Sequence, residues 1–78
     1  MPTFGWIGPY RIFVFASDRE EPPHVHVSRD DAAAKVWLAP VRLAANFGFN
    51  TREVLRVERL VATNRERFLE AWHEFFAR

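Results

Sequence analysis

The first half of the chain alternates apolar and polar residues with a period of two, whereas the last third repeats them every three to four residues. Short runs rich in β-branched and aromatic residues cover 3–7 and 10–16, and Gly8-Pro9 stands between them. Runs of this kind separated by a turn dipeptide predict a β-hairpin. The chain therefore begins with two predicted antiparallel strands.

Two further strands are predicted after a polar loop. Residues 24–29 alternate strictly between apolar and polar, which is the pattern of a strand with one buried face. The pair Asp30-Asp31 starts a turn, and residues 34–44 predict a fourth strand. Pro40 lies inside that run and has no N–H to donate, so we expect it to bend the strand at a bulge or an edge.

A helical period begins after residue 50. Asn50, with Glu53 three residues later, resembles a capping box. At 100° per residue the apolar positions lie on one side of the helix. They stay on that side after the polar pair Thr63-Asn64. One continuous helix is predicted, with a break at Asn64 as the alternative. The apolar positions are Val54, Val57, Val61, Phe68, Trp72 and Phe75.

These elements predict an α+β fold, a small antiparallel sheet of three or four strands packed by one long C-terminal helix. Such a helix would be about 40 Å long, whereas a compact chain of this length is about 30 Å across. We therefore expect its last turns to overhang and to expose Leu69, Trp72, Phe75 and Phe76. A second copy of the chain is the simplest cover for them, which predicts a homodimer.

Composition limits the classes of protein that fit. Seventy-eight residues, 49% of them apolar, predict a single domain over 1–78. Cysteine is absent, which excludes disulfides and thiolate metal sites. The longest apolar run covers only residues 12–16, and no signal-peptide pattern is found, so a soluble, cytoplasmic protein without a membrane span is expected. The net charge of +1 restricts any polyanion site to a local patch.

The third predicted strand carries the most informative side chains. Its alternation places Val25 and Val27 on one face and His24 and His26 on the other. The valines should face the helix. Antiparallel pairing with the fourth strand would bring Lys35 and Trp37 to the histidine face. The second strand should add Arg11, Phe13 and Phe15 to that face and, being apolar on both sides, is expected to be central in the sheet.

Three interpretations of the histidine pair remain open. In the first, His24 and His26 share general-base and general-acid roles in RNA cleavage, while Lys35, Arg11 or Arg29 stabilises phosphate charge. In the second they are two ligands of zinc or another transition metal, completed by an unidentified third residue. In the third they are simply exposed strand residues. The candidates for the third ligand are Asp18, Asp30, Asp31 and His73.

The predicted helix offers a second polar patch. Arg52, Arg56 and Arg59 form a stripe roughly opposite its apolar sector. Acidic residues surround this stripe, so a solvated helix face is the simpler interpretation and contact with nucleic acid or an acidic partner is the alternative.

Several segments carry a family resemblance over nearly the whole chain. They read Pro-Pro-His-Val-His-Val at 22–27, Ala-Lys-Val-Trp-Leu at 34–38, Pro-Val-Arg-Leu at 40–43, Gly-Phe at 48–49, Asn-Arg-Glu at 64–66 and Glu-Ala-Trp at 70–72. The chain resembles the domain of unknown function 4160 family of small bacterial proteins. These are often encoded beside a small protein of the domain of unknown function 2442 family. The resemblance therefore implies a toxin and antitoxin pair, but no reaction.

The leading hypothesis is a toxin-like component that acts on RNA or the translation machinery through the histidine face. It assigns His24, His26 and Lys35 to chemistry, Arg11 and Arg29 to phosphate contact, and Trp37 to base stacking. It requires no cofactor and no metal, and its partners are the cognate small protein and RNA. One alternative is a non-catalytic module that binds that small protein or a second copy of itself. The other is a metal-binding protein that uses the two histidines.

Overall fold

The structure, a computed structural model, describes residues 3–77. Within that range five strands and a 3-10 helix are followed by two α-helices. All neighbouring strands pair antiparallel in the order β1-β2-β3-β4-β5, so the sheet is a simple meander. The elements are β1 Thr3–Ile7, β2 Tyr10–Phe13, the 3-10 helix Ala16–Glu20, β3 His24–Arg29, β4 Ala32–Leu38, β5 Val41–Phe47, α1 Thr51–Thr63 and α2 Arg65–Phe75.

The first and third strands have the predicted bounds, whereas the second begins at Tyr10 as predicted but ends at Phe13 instead of Ala16. Gly8 has a φ of 57°, a left-handed conformation that glycine adopts without a steric penalty, and it forms the turn of the predicted hairpin. β3 has the bounds that its alternation predicts. β2 lies inside the sheet between β1 and β3, as its two apolar faces predict, although β3 is the middle strand of the five. Phe15 lies beyond the end of β2.

The run predicted as one fourth strand is two strands. The chain reverses at Ala39-Pro40, so β4 ends at Leu38 and β5 begins at Val41. Pro40 cannot donate to a sheet ladder, and here it ends one strand and starts the return instead of bending a single strand. The sheet therefore has five strands, not three or four.

The prediction of a single long helix is also wrong in detail. α1 ends at Thr63 and α2 starts at Arg65, with Asn64 between them. The Asn64 side-chain amide donates to the Leu60 carbonyl at 2.9 Å, which satisfies a carbonyl in the last turn of α1. The predicted N-terminus of the helix is confirmed, because the Asn50 Oδ1 atom accepts a hydrogen bond from the Glu53 backbone N–H at 2.8 Å.

The hydrophobic core lies between one face of the sheet and the two helices, and we call this sheet face the inner face. Its side chains are aliphatic and aromatic and almost fully buried, which is the main source of stability in a chain of this size. Val25, Val27, Val36 and Leu38 are completely buried there, as their strand positions predict. The core cluster is Tyr10, Ile12, Val25, Val27, Ala34, Val36, Leu38, Phe49, Val57, Val61 and Phe68.

The last turns of α2 pack against the rest of the chain more than the predicted overhang implies. Trp72 is buried, and its ring lies 5.0 Å from that of His24. Phe76 packs on Trp72, whereas Phe75 stays 38% exposed. The homodimer stays a prediction, but Trp72 no longer requires a second chain to cover it. No α-helix in residues 3–77 combines the length and the apolarity that crossing a membrane requires.

Candidate functional site

The sheet face opposite the core carries most of the residues singled out from the sequence, and we call it the outer face. In an antiparallel sheet, directly paired residues lie on the same face. His24 pairs with Trp37 and His26 pairs with Lys35, as predicted. Phe13 pairs with His26 across the β2–β3 ladder. The structure therefore brings both histidines, the lysine and the tryptophan together on one surface.

A second row of the outer face crosses all five strands. Trp6 pairs with Arg11, Arg11 with Ser28, Ser28 with Ala33, and Ala33 with Phe47. Trp6 and Phe47 are 65% and 66% exposed, so the row has an open aromatic ring on each edge strand and small residues near its middle. With a strand spacing of about 4.8 Å, four steps separate the two edge strands by roughly 19 Å.

Arg29 lies on the other face of the sheet. It shares the parity of the core valines, and its Nη1 donates to Glu53 Oε2 at 3.0 Å. Tyr10 Oη donates to the same carboxylate oxygen at 2.5 Å. The structure therefore does not bring Arg29 to the histidines. Arg52, Arg56 and Arg59 line a shallow groove of about 240 Å³ on α1.

Asp18 is the centre of a small buried cluster at one end of the outer face. The 3-10 helix positions it, because the Phe15 backbone N–H donates to Asp18 Oδ2 at 2.8 Å. The same oxygen lies 3.0 Å from His26 Nε2 and 3.2 Å from His24 Nε2. The side chains of Asp18, His24 and His26 are 9%, 0% and 17% exposed. We refer to these three residues as the Asp-His-His cluster.

The cluster changes the proton affinity of two of its members. Burial alone would raise the pKa of Asp18, but the Phe15 N–H and the two histidines outweigh it and leave that pKa below its usual value. Burial lowers the pKa of His26, and the neighbouring Asp18 carboxylate offsets only part of this effect. Both shifts favour an ionised Asp18 beside a neutral His26.

His24 is the most constrained member. Its Nδ1 lies 2.9 Å from the Pro22 carbonyl oxygen. A carbonyl only accepts, so Nδ1 must carry a proton. Its Nε2 has no hydrogen-bond partner among the described residues, because the Asp18 oxygen, although 3.2 Å away, does not meet the geometry of a hydrogen bond. With no exposed surface, the His24 side chain is closed to direct contact with a molecule in solution.

Aromatic rings enclose the cluster. The His26 ring stacks on Phe13 at 5.3 Å and meets the edge of Phe15 at 4.8 Å. Trp37 and Trp72 lie 5.4 Å and 5.0 Å from the His24 ring. Apolar walls exclude water, and they strengthen electrostatic interactions among the three polar side chains.

Lys35 lies beside the cluster and is paired. Its ammonium group donates to Glu21 Oε1 and sits 4.7 Å from the centre of the Trp37 ring. The hydrogen bond from Lys35 lowers the pKa of Glu21. Arg11 donates to Thr3 Oγ1 at 2.8 Å and lies over the Phe13 ring at 4.6 Å. Both cations are therefore held on the aromatic outer face.

The sequence did not single out Asp18, Trp6 or Phe47 as parts of this surface. The pattern does not separate Asp18 from three other candidate third ligands, because its position depends on the 3-10 helix. Trp6 and Phe47 receive no role from the sequence. The side of the sheet on which Trp6 lies could be derived only by continuing the strand pairing from Arg11 through the hairpin. The side on which Phe47 lies could be derived only by knowing that a fifth strand exists.

The family model described as Domain of unknown function (DUF4160) matches residues 10–73. The chain belongs to this family. The matched range includes His24, His26, Lys35 and Trp37, so the domain of unknown function 4160 resemblance is confirmed. No curated protein and no solved structure matches the chain. The toxin and antitoxin association stays a prediction.

Proposed function

We propose that the outer face of this domain binds single-stranded RNA. The observation that supports this proposal is the row from Trp6 to Phe47, which places open aromatic rings on both edge strands and Arg11 near one of them. Aromatic rings stack with bases of any sequence, and cations beside them hold the phosphates. An open sheet face of this kind suits a flexible single strand better than a rigid duplex.

The charges on the outer face support an anionic ligand. Arg42 is exposed and pairs with Trp37, so it shares this face with Arg11 and Lys35. Glu21 is the acid in contact with Lys35, and Asp18 is buried within its cluster. The local excess is positive although the chain as a whole carries only +1. A local patch of this kind is what a nearly neutral chain needs to bind a polyanion.

The geometry favours binding over RNA cleavage by the histidine pair. His24 is fully buried, and Nε2 of each histidine faces Asp18 instead of the open surface. A general acid or base must come within hydrogen-bond reach of the reacting atoms. The toxin-like role predicted from the family resemblance would follow if the bound RNA is one that translation requires. The cognate small protein would then act by covering the same face.

Fluorescence anisotropy of a labelled oligouridylate, titrated with the full chain at low salt, tests this proposal. Replacing both Trp6 and Phe47 by alanine should weaken binding by at least about 10-fold, because each base-aromatic stack contributes about 1–3 kcal/mol. Leu55→Ala is the matched control, since Leu55 is 58% exposed but lies on α1. Absence of binding by the wild-type chain, or an equal loss in the control, would contradict the proposal.

The salt dependence of the same titration tests the phosphate contacts. Arg42→Gln should reduce the slope of log affinity against log salt by about 0.7, the value for one phosphate contact on a single strand, if Arg42 contacts a phosphate. Arg52→Gln on α1 is the control and should leave the slope unchanged. A slope that changes only in the control would place the RNA on the arginine stripe of α1 instead.

One observation favours a second candidate, the binding of a protein partner. Trp6 and Phe47 lie on the two edge strands, and edge strands can pair with another chain. The partner would be the cognate small protein predicted from the family resemblance. If the Trp6 and Phe47 double variant binds RNA normally but no longer forms a complex with that protein in sedimentation, this second function replaces the first.

A further inference from the structure

Hydrogen bonds satisfy the Asp-His-His cluster only in part. The Phe15 N–H and His26 Nε2 bond to Asp18 Oδ2 at 2.8 Å and 3.0 Å, whereas His24 Nε2 has no hydrogen-bond partner among the described residues. One ligand-type atom from each of Asp18, His24 and His26 lies within 4.8 Å of the others. The cluster is enclosed by aromatic rings, and two of its side chains are almost completely buried. Burying a carboxylate is costly unless it is paired and hydrogen-bonded, and a bound cation would add to the pairing.

The His24 ring is the observation that points to an ion. Because Nδ1 donates its proton to the Pro22 carbonyl, a neutral ring has only a lone pair at Nε2. The Nε2 atom is buried, has no hydrogen-bond partner among the described residues and lies 3.2 Å from Asp18 Oδ2. Metal-binding histidines have this arrangement, in which the non-ligating N–H donates to a carbonyl and so fixes the tautomer and the ring orientation.

Two of the three distances between ligand atoms are close to those of a tetrahedral site, and all three lie within 4.8 Å. Two ligands that each lie about 2.0–2.1 Å from a zinc ion are roughly 3.4 Å apart at the tetrahedral angle. Asp18 Oδ2 lies 3.0 Å and 3.2 Å from the two Nε2 atoms, a little nearer than this. Ligand atoms of a metal site point toward the ion and not toward each other, which is consistent with the poor alignment of His24 Nε2 and Asp18.

We propose that Asp18, His24 and His26 bind one divalent transition-metal ion such as zinc, which two imidazoles and a carboxylate fit. The ion replaces the proton that His26 Nε2 donates to Asp18 in the metal-free chain, so the neutral His26 ring then carries its proton on Nδ1. The Phe15 N–H and the Pro22 carbonyl act as outer-shell groups that orient Asp18 and His24. Three protein ligands leave a fourth position for water or another small ligand. The ion would tie the 3-10 helix to β3, and this proposal does not depend on RNA binding.

Isothermal titration of the metal-free full chain with zinc chloride tests the proposal. We expect one ion per chain and a melting temperature that rises with zinc concentration. Asp18→Asn and His26→Gln should each weaken binding by more than the roughly 10- to 100-fold that loss of an outer-shell partner costs. His73→Gln is the matched control, because His73 is exposed on α2 and lies outside the cluster.

A second measurement needs only the wild-type chain, so it is decisive even if a variant fails to fold. In a nitrogen NMR spectrum of the imidazole rings, zinc should shift Nε2 of His24 and His26, while His24 Nδ1 stays protonated and His73 is unchanged. Absence of stoichiometric binding, or zinc shifts only at His73, would overturn the proposal. The three residues would then form a hydrogen-bonded structural cluster only.

Discussion

The two faces of the sheet bury side chains by different physical means. On the inner face, residues such as Val25, Val36 and Leu38 pack against helix residues and need no particular orientation to lose contact with water. At the Asp18 end of the outer face, three polar side chains are buried among aromatic rings, and each depends on specific partners. The first arrangement tolerates changes of shape better than changes of polarity.

This difference separates the residues that stabilise the domain from those that are suited to bind a ligand. Apolar burial on the inner face is the expected source of stability in a small chain. Burial of Asp18 and His24 on the other side adds a desolvation cost that an apolar substitute would avoid. His24 Nε2 has no hydrogen-bond partner within residues 3–77, which is a reason to look for a ligand there instead of a purely structural role.

The largest effect is expected on the inner face. Leu38→Ala should lower the free energy of unfolding by about 2–5 kcal/mol, because it removes buried methyl groups and leaves a cavity. Chemical denaturation of the two proteins measures this difference. Leu55→Ala, at an exposed position on α1, should change the unfolding free energy by less than about 0.5 kcal/mol. Similar losses in both variants would argue against the inner face as the main core.

A smaller effect is expected when the cluster loses its acid. In the metal-free protein, Asp18→Ala should cost about 1–3 kcal/mol, because the Phe15 N–H and His26 lose their buried acceptor. Asp31→Ala is a control in an exposed turn. Chemical denaturation measures both changes in unfolding free energy. If Asp18→Ala changes it as little as the control does, the cluster contributes nothing to folding and only the inner face stabilises the domain.

The open part of the outer face should contribute little to stability. Lys35→Met removes the pair with Glu21, and exposed ion pairs have small net effects because water already solvates both charges. We expect the denaturation midpoint to stay close to that of the wild type at any salt concentration. RNA affinity should nevertheless decrease and lose part of its salt dependence. A large loss of stability would show that the Lys35 position is structural.

The smallest effect concerns the polar contact on the inner side. Hydrogen bonds from Tyr10 and then Arg29 hold the pKa of Glu53 below its ordinary value of 4.5. As the pH falls, the unfolded chain therefore takes up this proton first. The stabilisation is complete above the ordinary pKa and is lost as the pH falls through the lowered one.

The difference in unfolding free energy between the wild type and Glu53→Gln, measured against pH, checks this contribution. The difference should shrink below about pH 4.5. Glu70→Gln, on the exposed side of α2, is the matched control and should show a flatter profile. A difference that grows on acidification would contradict the assigned sign.

Local patterns were sufficient for the elements whose two faces differ strongly. Strict alternation over residues 24–29 predicts β3 with its observed bounds, and the side of every β3 residue follows from it. The Asn50 cap is likewise a local signal and is confirmed. The pattern at 34–44 did not reveal the reversal at Ala39-Pro40, because apolar alternation continues through both strands.

The sequence by itself determined that the valines and the histidines lie on opposite faces, because side-chain direction in a strand follows from the two-residue period alone. Only the tertiary structure decided which residues meet there. The 3-10 helix delivers Asp18 to both imidazoles, α2 brings Trp72 over His24, and the fifth strand places Phe47 in line with Trp6. The contacts of Trp72 and Phe47 join segments far apart in the chain, and those of Asp18 join a 3-10 helix to the strand that follows it. All of them depend on how the elements pack and not on any local period.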